Sequence, residues 1–445
     1  MARPTALSGF PEFLPAERNA ELIVLDHLRR TFELHGFASI ETRAAEPMDQ
    51  LLRKGEIDKE VYVLRRLHAD EGAPDSGLGL HFDLTVPFAR YVLENAGKLE
   101  FPFRRFQIQK VWRGERPQEG RYREFTQADI DIVNRDVLPF HFDVEVARVM
   151  AEALAGLPVP HLRMQINNRK ILEGFYLGLG VADPAAIMRV VDKLDKLPAD
   201  KIVQLLTDEG LGAEAADKCL ALAQINATDS SFVDHVRALG VSHEMLDAGL
   251  AELAEVIDAL PSTDDVTITA DLRIARGLDY YTGTVFETQM AGFESLGSIC
   301  SGGRYDALAT DGKTTYPGVG ISLGVSRILV PLIARGFIAD RSVPSAVLVA
   351  LVDEESRGAS DAIAQALRAR GIPTEVAATA AKFGKQIRYA ERRGIPYVWF
   401  PATAEQTHQV KDIREGGQAD ADPDAWAPPP ADLRPSIQPV KEQTP

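Results

Sequence analysis

From Arg121 to Val133 the chain alternates with a period of two, and no other stretch constrains the fold as tightly. Arg121, Arg123, Phe125, Gln127, Asp129 and Asp131 fall on one side of an extended backbone; Ala128, Ile130 and Ile132 fall on the other. A helix would mix these two sets on every side. A second strand-like run, Phe106 to Glu115, precedes it, with Arg113 and Glu115 on a common face. The charged loop Arg116 to Tyr122, which contains a Pro and a Gly, joins the two. Paired as an antiparallel hairpin, they put arginines, an aromatic ring and carboxylates side by side on one surface. Unpaired charges are expensive to bury, so such a face suits a ligand with phosphates, a flat ring and an amine. The plainer alternative is a solvated edge hairpin whose ion pairs contribute little. The clean sorting of apolar residues to the opposite face argues for a core side and a working side.

With 445 residues, 45% hydrophobic and 26% charged, the chain is long enough for roughly two or three domains. A formal net charge of −16 does not suggest a generic nucleic-acid coat but leaves room for a local basic patch that binds phosphates. The two cysteines, Cys219 and Cys300, build neither a disulfide framework nor a zinc ligand set, so a reducing cytoplasm is expected. The opening MARPTALSGF lacks the apolar core of a signal peptide. No segment is long and apolar enough for a bilayer, so no membrane association is expected.

Residues 17–35 show helical periodicity with Leu22, Leu25, Leu28 and Phe32 on one side, and a strand is expected over Phe37 to Thr42. Residues 66–80, with Gly72, Pro74, Gly77 and Gly79, read as a loop. His81 to Tyr91 alternates like a strand, and residues 139–155 read as a helix. From 168 to about 260 the chain is Ala- and Leu-rich with helix-period runs, a mostly helical insertion between strand-rich regions. Beyond Val343 strands and helices alternate: SAVLVALV, a helix over Ala359–Arg370, a strand near Thr374–Ala377, a helix over Lys382–Arg393, and a strand at Tyr397–Phe400. That order implies a small α/β domain. The tail from Gln418 is rich in Ala, Asp and Pro and is expected to be poorly ordered, with Trp426 and Leu433 as anchors.

Three segments add chemistry to the hairpin. In FDLTVPFAR, read as a strand, Asp83 and Thr85 share a face and could hold an ammonium. In ARGLDYYTGTVFE, Arg276 precedes Gly277, and Tyr280 and Tyr281 offer apolar rings with polar tips. One of these adjacent tyrosines is expected in the core. In SICSGGRYDAL and PGVGISLGVSRI, glycines permit close backbone approach, and Arg327 follows a strand-to-helix junction. Arginine stays charged and forks onto phosphate oxygens. Lys382, Lys385, Arg388, Arg392 and Arg393 form a basic stripe, either a phosphate-binding face or a solvated one.

WRGERPQEGRYREF, RGLDYYTGTVFE and SGGRYD, in that order, resemble the histidyl-tRNA synthetases, a class II aminoacyl-tRNA synthetase family. The first segment resembles the second class-defining motif, Pro317–Ile328 the third, and residues 17–47 the first, which in the family forms a dimer interface. KFGKQIRYAERRGIPYV resembles the family's anticodon-binding domain, and the resemblance covers most of residues 8–417. It implies an α+β fold: a class II antiparallel sheet with flanking helices, a helical insertion and a C-terminal α/β anticodon-binding domain. The boundaries expected are 1–167 and 263–338 for the two parts of the catalytic core, 168–262 for the insertion, and 339–445 for the last domain and its tail.

The resemblance also implies roles. Arg113 would bind the α-phosphate of ATP and the carboxylate of L-histidine. Glu115 would read the adenine amino group, Phe125 would stack on the adenine, and Arg121 and Arg123 would contact phosphates or their loop. Asp83, Thr85 and Gln127 would hold the amino group of histidine; Asp131, Tyr281 and Tyr305 would line its imidazole pocket. Arg276 would sit against the α-phosphate as a catalytic arginine, and Arg327 would clamp the γ-phosphate. Mg²⁺ would accompany the β- and γ-phosphates, held by residues the sequence does not identify. The implied reaction is adenylation of histidine followed by transfer to tRNA(His), by a cytoplasmic homodimer. Two departures stand out. Ser326 occupies the place of a usual acidic residue before the motif 3 arginine, and Ala402–Gln418 is shorter than the family leads one to expect. A competing reading is the histidine-binding regulatory subunit of ATP phosphoribosyltransferase, a paralogue that shares YYTG and GGRYD but generally lacks the last domain. The C-terminal α/β segment, Arg113, Arg276 and the full charged loop favour the synthetase. A pure tRNA-binding module would leave the imidazole-like pocket unexplained.

Overall fold

The computed structural model describes residues 5–52, 60–67, 77–195, 197–275 and 280–437. The chain divides into two compact units, one of Met1–Pro11 and Asp26–Pro331, the other of Glu12–Leu25 and Leu332–Pro445.

Helix α1 (Pro15–Leu34) starts where Glu17 accepts the Leu14 N–H at 2.7 Å, half of a capping box. Its buried line is Ala20, Val24, Leu28 and Phe32, every fourth residue, and Leu22 is 46% exposed. The apolar side is thus rotated from the one read off the leucines, because small Ala20 and Val24 belong to it. Strand β1 (Ala38–Ser39) is shorter than the expected Phe37–Thr42. β2 (Ala45–Pro47), α2 (Met48–Leu51) and β3 (Leu78–Leu80) follow, with β2 and β3 paired antiparallel. Gly72 and Pro74 of the expected loop lie outside the described residues.

His81 to Tyr91 is not a strand. Helix α3 (Thr85–Asn95) begins there, and the Asp83 carboxylate accepts the Val86 N–H at 3.1 Å. The alternation misleads because Phe82, Leu84, Val86 and Phe88 are all buried. Pro87 sits in the first turn, where its missing N–H costs nothing.

Then come β4 (Phe103–Trp112), β5 (Glu124–Val133) and α4 (His141–Ala155). β6 (Leu162–Asn168) leads into α5 (Arg169–Gly178), α6 (Pro184–Val191), α7 (Ala199–Asp208) and α8 (Ala213–Ala223). β7 (Asn226–Ala227), α9 (Phe232–Arg237) and α10 (Glu244–Asp258) complete the helix-rich stretch. β8 (Val266–Asp271), β9 (Thr284–Met290), β10 (Cys300–Thr310), β11 (Thr315–Gly324) and α11 (Val325–Ile333) return to the sheet. The nine strands run in the order β1-β4-β5-β11-β10-β9-β6-β8-β7. The hairpin pairs Arg105 with Asp131, Gln107 with Asp129 and Gln109 with Gln127, antiparallel throughout. Ala128, Ile130 and Ile132 are fully buried on the far side, as the alternation requires.

The second unit holds a five-stranded sheet of order β13-β12-β14-β15-β16. Its parallel centre is β12 (Val347–Val349), β13 (Thr374–Val376) and β14 (Tyr397–Phe400), with α12 (Arg357–Ala369) and α13 (Phe383–Arg393) between them in the chain. β15 (Gln409–Asp412) and β16 (Gln418–Asp420) add antiparallel edges. Within this unit the Ala339 N–H donates to the Ala16 carbonyl at 3.1 Å, and Asn19 Nδ2 to the Arg341 carbonyl at 3.0 Å. The tail is better ordered than its composition suggests as far as residue 437. Trp426 meets Tyr397 and Trp399 edge-on at 5.3 and 5.6 Å, and Leu433 packs on the same cluster. Residues 438–445 lie outside the described residues. On α13, Lys382, Lys385, Arg388 and Arg392 are exposed as a stripe, whereas the Arg393 guanidinium lies 5.0 Å from the Tyr389 ring centre.

Candidate active site

The polar face of β5 looks into two cavities that share Ser301 and Ser322. The first, of about 90 Å³, is lined by Arg113, Glu115, Arg121, Phe125, Gln127 and Arg327, all expected from sequence. The second, of about 20 Å³, is lined by Thr85, Asp131, Tyr281 and Tyr305, also expected, and by Asp129 and Tyr280.

In the first cavity, Arg113 Nε donates to the Phe82 carbonyl at 3.0 Å, and its guanidinium lies 5.1 Å from the Phe125 ring centre. Arg327 Nε donates to the Gly120 carbonyl at 2.8 Å and Nη1 to the Ser298 carbonyl at 2.5 Å. Burial, with Arg113 and Arg121 nearby, pulls the Arg327 guanidinium below its usual basicity. Cations gathered like this repel one another and are relieved by an anion. Arg121 has Glu115 at 3.9 Å. Arg123 turns away from the cavity: its Nε donates to the Glu115 carbonyl at 3.3 Å, so it braces the loop that presents Glu115. Ser326 is buried, and its Oγ accepts the Thr126 N–H at 2.9 Å. A hydroxyl thus ties the start of α11, which carries Arg327, to β5, which carries Phe125.

In the second cavity, Tyr305 OH donates to Asp131 Oδ1 at 2.9 Å. Gln127 Nε2 lies 3.3 Å from Asp129 Oδ1 and bonds Ser322 Oγ, which donates to that same Oδ1 at 2.5 Å. Gln127 Oε1 is buried with no hydrogen-bond partner among the described residues, an acceptor available to a ligand N–H. Burial raises the Asp129 carboxyl above its usual range, and Arg105 opposes that rise. The Tyr281 and Tyr305 phenols are pushed up chiefly by burial, so they remain neutral donors. Two glycines make the room. A Cβ on Gly320 would lie 2.0 Å from Asp131 Oδ1, and one on Gly303 would lie 2.6 Å from the Tyr281 ring. Tyr280 lines this cavity as Tyr281 does, and it also stacks on Tyr305 at 5.5 Å and packs with Phe88 and Val92, so neither tyrosine is given over to the core alone. Admitting an imidazole requires these rings to part, since 20 Å³ holds little more than a water.

The strand expected to carry Asp83 and Thr85 is instead the start of α3. Thr85 lines the second cavity, whereas Asp83 is buried and spends one oxygen on Val86. Arg276 and Gly277 lie outside the described residues. Arg304 of SGGRYD is structural: Nη2 meets Asp143 Oδ2 at 2.7 Å, and Thr284 Oγ1 donates to Asp143 Oδ1 at 2.7 Å. Sequence reasoning missed Arg105, fully buried and 2.6 Å from Asp131. Its place opposite Asp131 in the hairpin was the available signal.

Comparison with known proteins points the same way. A family described as Histidyl-tRNA synthetase matches residues 9–328, and one described as Anticodon binding domain matches residues 346–420. A protein of Cutibacterium acnes named histidine--tRNA ligase is 60% identical, covering 98% of this chain and 99% of its own. One of the same name from Micrococcus luteus is 56% identical, with 98% and 99% covered. The crystal structure of histidyl-tRNA synthetase from a Nostoc species superposes with TM-score 0.83 at 33% identity, covering 94% of this chain and 97% of that one. With a family match that spans both cavities and relatives similar from end to end, the chain belongs to the histidyl-tRNA synthetase family.

Proposed function

We infer that the chain is a histidine--tRNA ligase: it activates L-histidine with ATP and passes the histidyl group to the 3′ end of tRNA(His). The observation that carries this reading is the junction at Ser301 and Ser322, where an arginine-ringed cleft with an aromatic wall opens onto a carboxylate–tyrosine cavity.

ATP takes the first cavity. Phe125 stacks on adenine, Glu115 accepts its amino group, and Arg113, Arg121 and Arg327 neutralise the triphosphate. Histidine takes the second, with Asp131, Tyr281 and Tyr305 around the imidazole. Its ammonium goes to Thr85, to Asp83 and to the free Gln127 Oε1. The reacting groups, a carboxylate and a phosphate, are then both anionic and held end to end, and the barrier is one of alignment and charge. A carboxylate oxygen of histidine attacks the α-phosphorus; the bond to the bridging oxygen of pyrophosphate breaks and pyrophosphate departs. Arg113, together with Arg276, draws off the charge that builds on the α-phosphate. A ribose hydroxyl of the tRNA terminus then attacks the acyl carbon, and AMP leaves. Mg²⁺ would neutralise the β- and γ-phosphates. Among the described residues no cluster of three His, Cys, Asp or Glu could hold it, so phosphates and water would supply most ligands. A pocket that hydrogen-bonds both imidazole nitrogens rejects apolar amino acids strongly, because its own groups would go unpaired.

The segment matched as an anticodon-binding domain, 346–420, supports a tRNA partner, with the α13 stripe as a candidate phosphate contact. Dimerisation through residues 17–47 and a cytoplasmic location complete the proposal. No described helix is long and apolar enough to cross a membrane. The test is ATP–pyrophosphate exchange with each amino acid in turn. Histidine alone should drive it, and exchange driven equally by another amino acid would overturn the assignment. Arg276→Ala should cut exchange heavily while histidine binding persists; exchange at the parent rate would remove Arg276 from the mechanism.

A further inference from the structure

We propose that Arg105 is a positioning residue for histidine recognition: from the neighbouring strand, on the same face of the sheet, it fixes the orientation of the Asp131 carboxylate. The proposal rests on the reading of the second cavity as the imidazole pocket.

Arg105 is among the largest fully buried side chains in the protein. Isolated burial of a guanidinium is costly, and a well-packed apolar side chain of similar volume is often no worse for stability. Its environment explains why it is there. Nη2 lies 2.6 Å from Asp131 Oδ2 and 4.0 Å from Asp129 Oδ2, and Nη1 donates to Gln107 Oε1 at 3.4 Å. Its guanidinium carbon lies 4.2 Å from the Phe88 ring centre, and Phe88 packs in the cluster that includes Tyr305. Gln107 is itself held through Thr42 Oγ1 at 2.9 Å, so the frame behind the guanidinium is fixed. Both ion-pair partners given by the structure are carboxylates that line the second cavity.

With Arg105 present, Asp131 Oδ2 lies against the guanidinium and Oδ1 accepts from Tyr305 OH, which together fix the carboxylate that meets an imidazole N–H. With Arg105 replaced by an apolar side chain, the Asp131 carboxylate would lose the contact that orients it. Among the described residues the charged groups lining the ATP cavity make no ion pair with Arg105, so ATP affinity should be spared.

The experiment is histidine-dependent exchange on the full chain, with KM for histidine and for ATP measured separately for Arg105→Met, Arg105→Lys, Asp131→Asn and the double variant Arg105→Met/Asp131→Asn. Arg105→Met should raise KM for histidine about tenfold or more and leave KM for ATP within about twofold, with Arg105→Lys recovering part of the loss. Because Arg105 acts through Asp131, the double variant should be far less impaired than the product of the single effects. Equal increases in both KM values, an unchanged histidine KM, or independent effects in the double variant would overturn the proposal. Should Arg105→Met fail to fold by thermal melting, Arg105→Lys decides: a KM for histidine equal to the parent's refutes it. Asp131→Asn alone separates the two readings, since an unaffected histidine KM there would sink the pocket assignment itself.

Discussion

Single atoms decide how well the site works. Phe125→Ala removes a stacking surface of the kind that contributes about 1–3 kcal/mol per base, so KM for ATP should rise about tenfold while KM for histidine stays near the parent value. Steady-state exchange at varied substrate measures both. Gly320→Ala would push a methyl into Asp131 Oδ1. Overpacking of that kind costs about 1–3 kcal/mol of stability, read as a lower melting temperature, and the displaced carboxylate should raise KM for histidine at least as strongly as KM for ATP. At this scale much was legible beforehand. Phe125, Gln127, Asp129 and Asp131 follow strand periodicity, and the backbone obeys it from Glu124 to Val133. Arg105 was not legible, because in FRRFQ one arginine looks like the next. Yet Arg104 pairs with Glu145 at 2.8 Å while half-buried, and Arg105 is fully enclosed. Only the cross-strand register separates them.

Among elements, hairpin, helices and C-terminal strands were readable from periodicity, whereas α3 was not. Its sequence alternates apolar residues because the helix is enclosed on several sides, which removes the polar face that would betray a helical period. Just before α3 lies His81, buried, with Nε2 2.7 Å from the Lys110 carbonyl and its ring stacked on Trp112 at 5.5 Å. Burial lowers its pKa from 6.5, so the unfolded chain takes up a proton in a range where the folded chain does not. Stability is therefore fully present above about pH 6.5 and is lost as pH falls below it. His81→Gln should lose less stability than the parent between about pH 7 and pH 5, seen as a smaller shift of the urea midpoint. At the junction of β5 and α11, Ser326→Ala removes the bond to Thr126 N–H. It should cost about 1 kcal/mol in denaturation and raise KM for ATP more than KM for histidine, because Arg327 is the next residue.

For the whole molecule, removal of residues 341–445 should impair tRNA charging more than adenylate formation; equal losses in the two assays would undercut the role given to the last domain. The order of elements was open to reading, since Gly, Pro and composition mark the changes from strand-rich to helix-rich to alternating chain. The unit to which Glu12–Leu25 belongs was not, because nothing local in a helix records a partner some three hundred residues away. That membership has a consequence during synthesis. The segment leaves the ribosome among the first, yet the rest of its unit, from Leu332, is polymerised about 300 residues later. At roughly 5–20 residues per second the nascent segment waits about 15–60 seconds, with the Ala16 carbonyl and the Asn19 side chain lacking Ala339 and Arg341. A ribosome that stalls before Leu332 therefore releases a chain whose first helix is orphaned over its N-terminal half, a ready handle for chaperones and proteases.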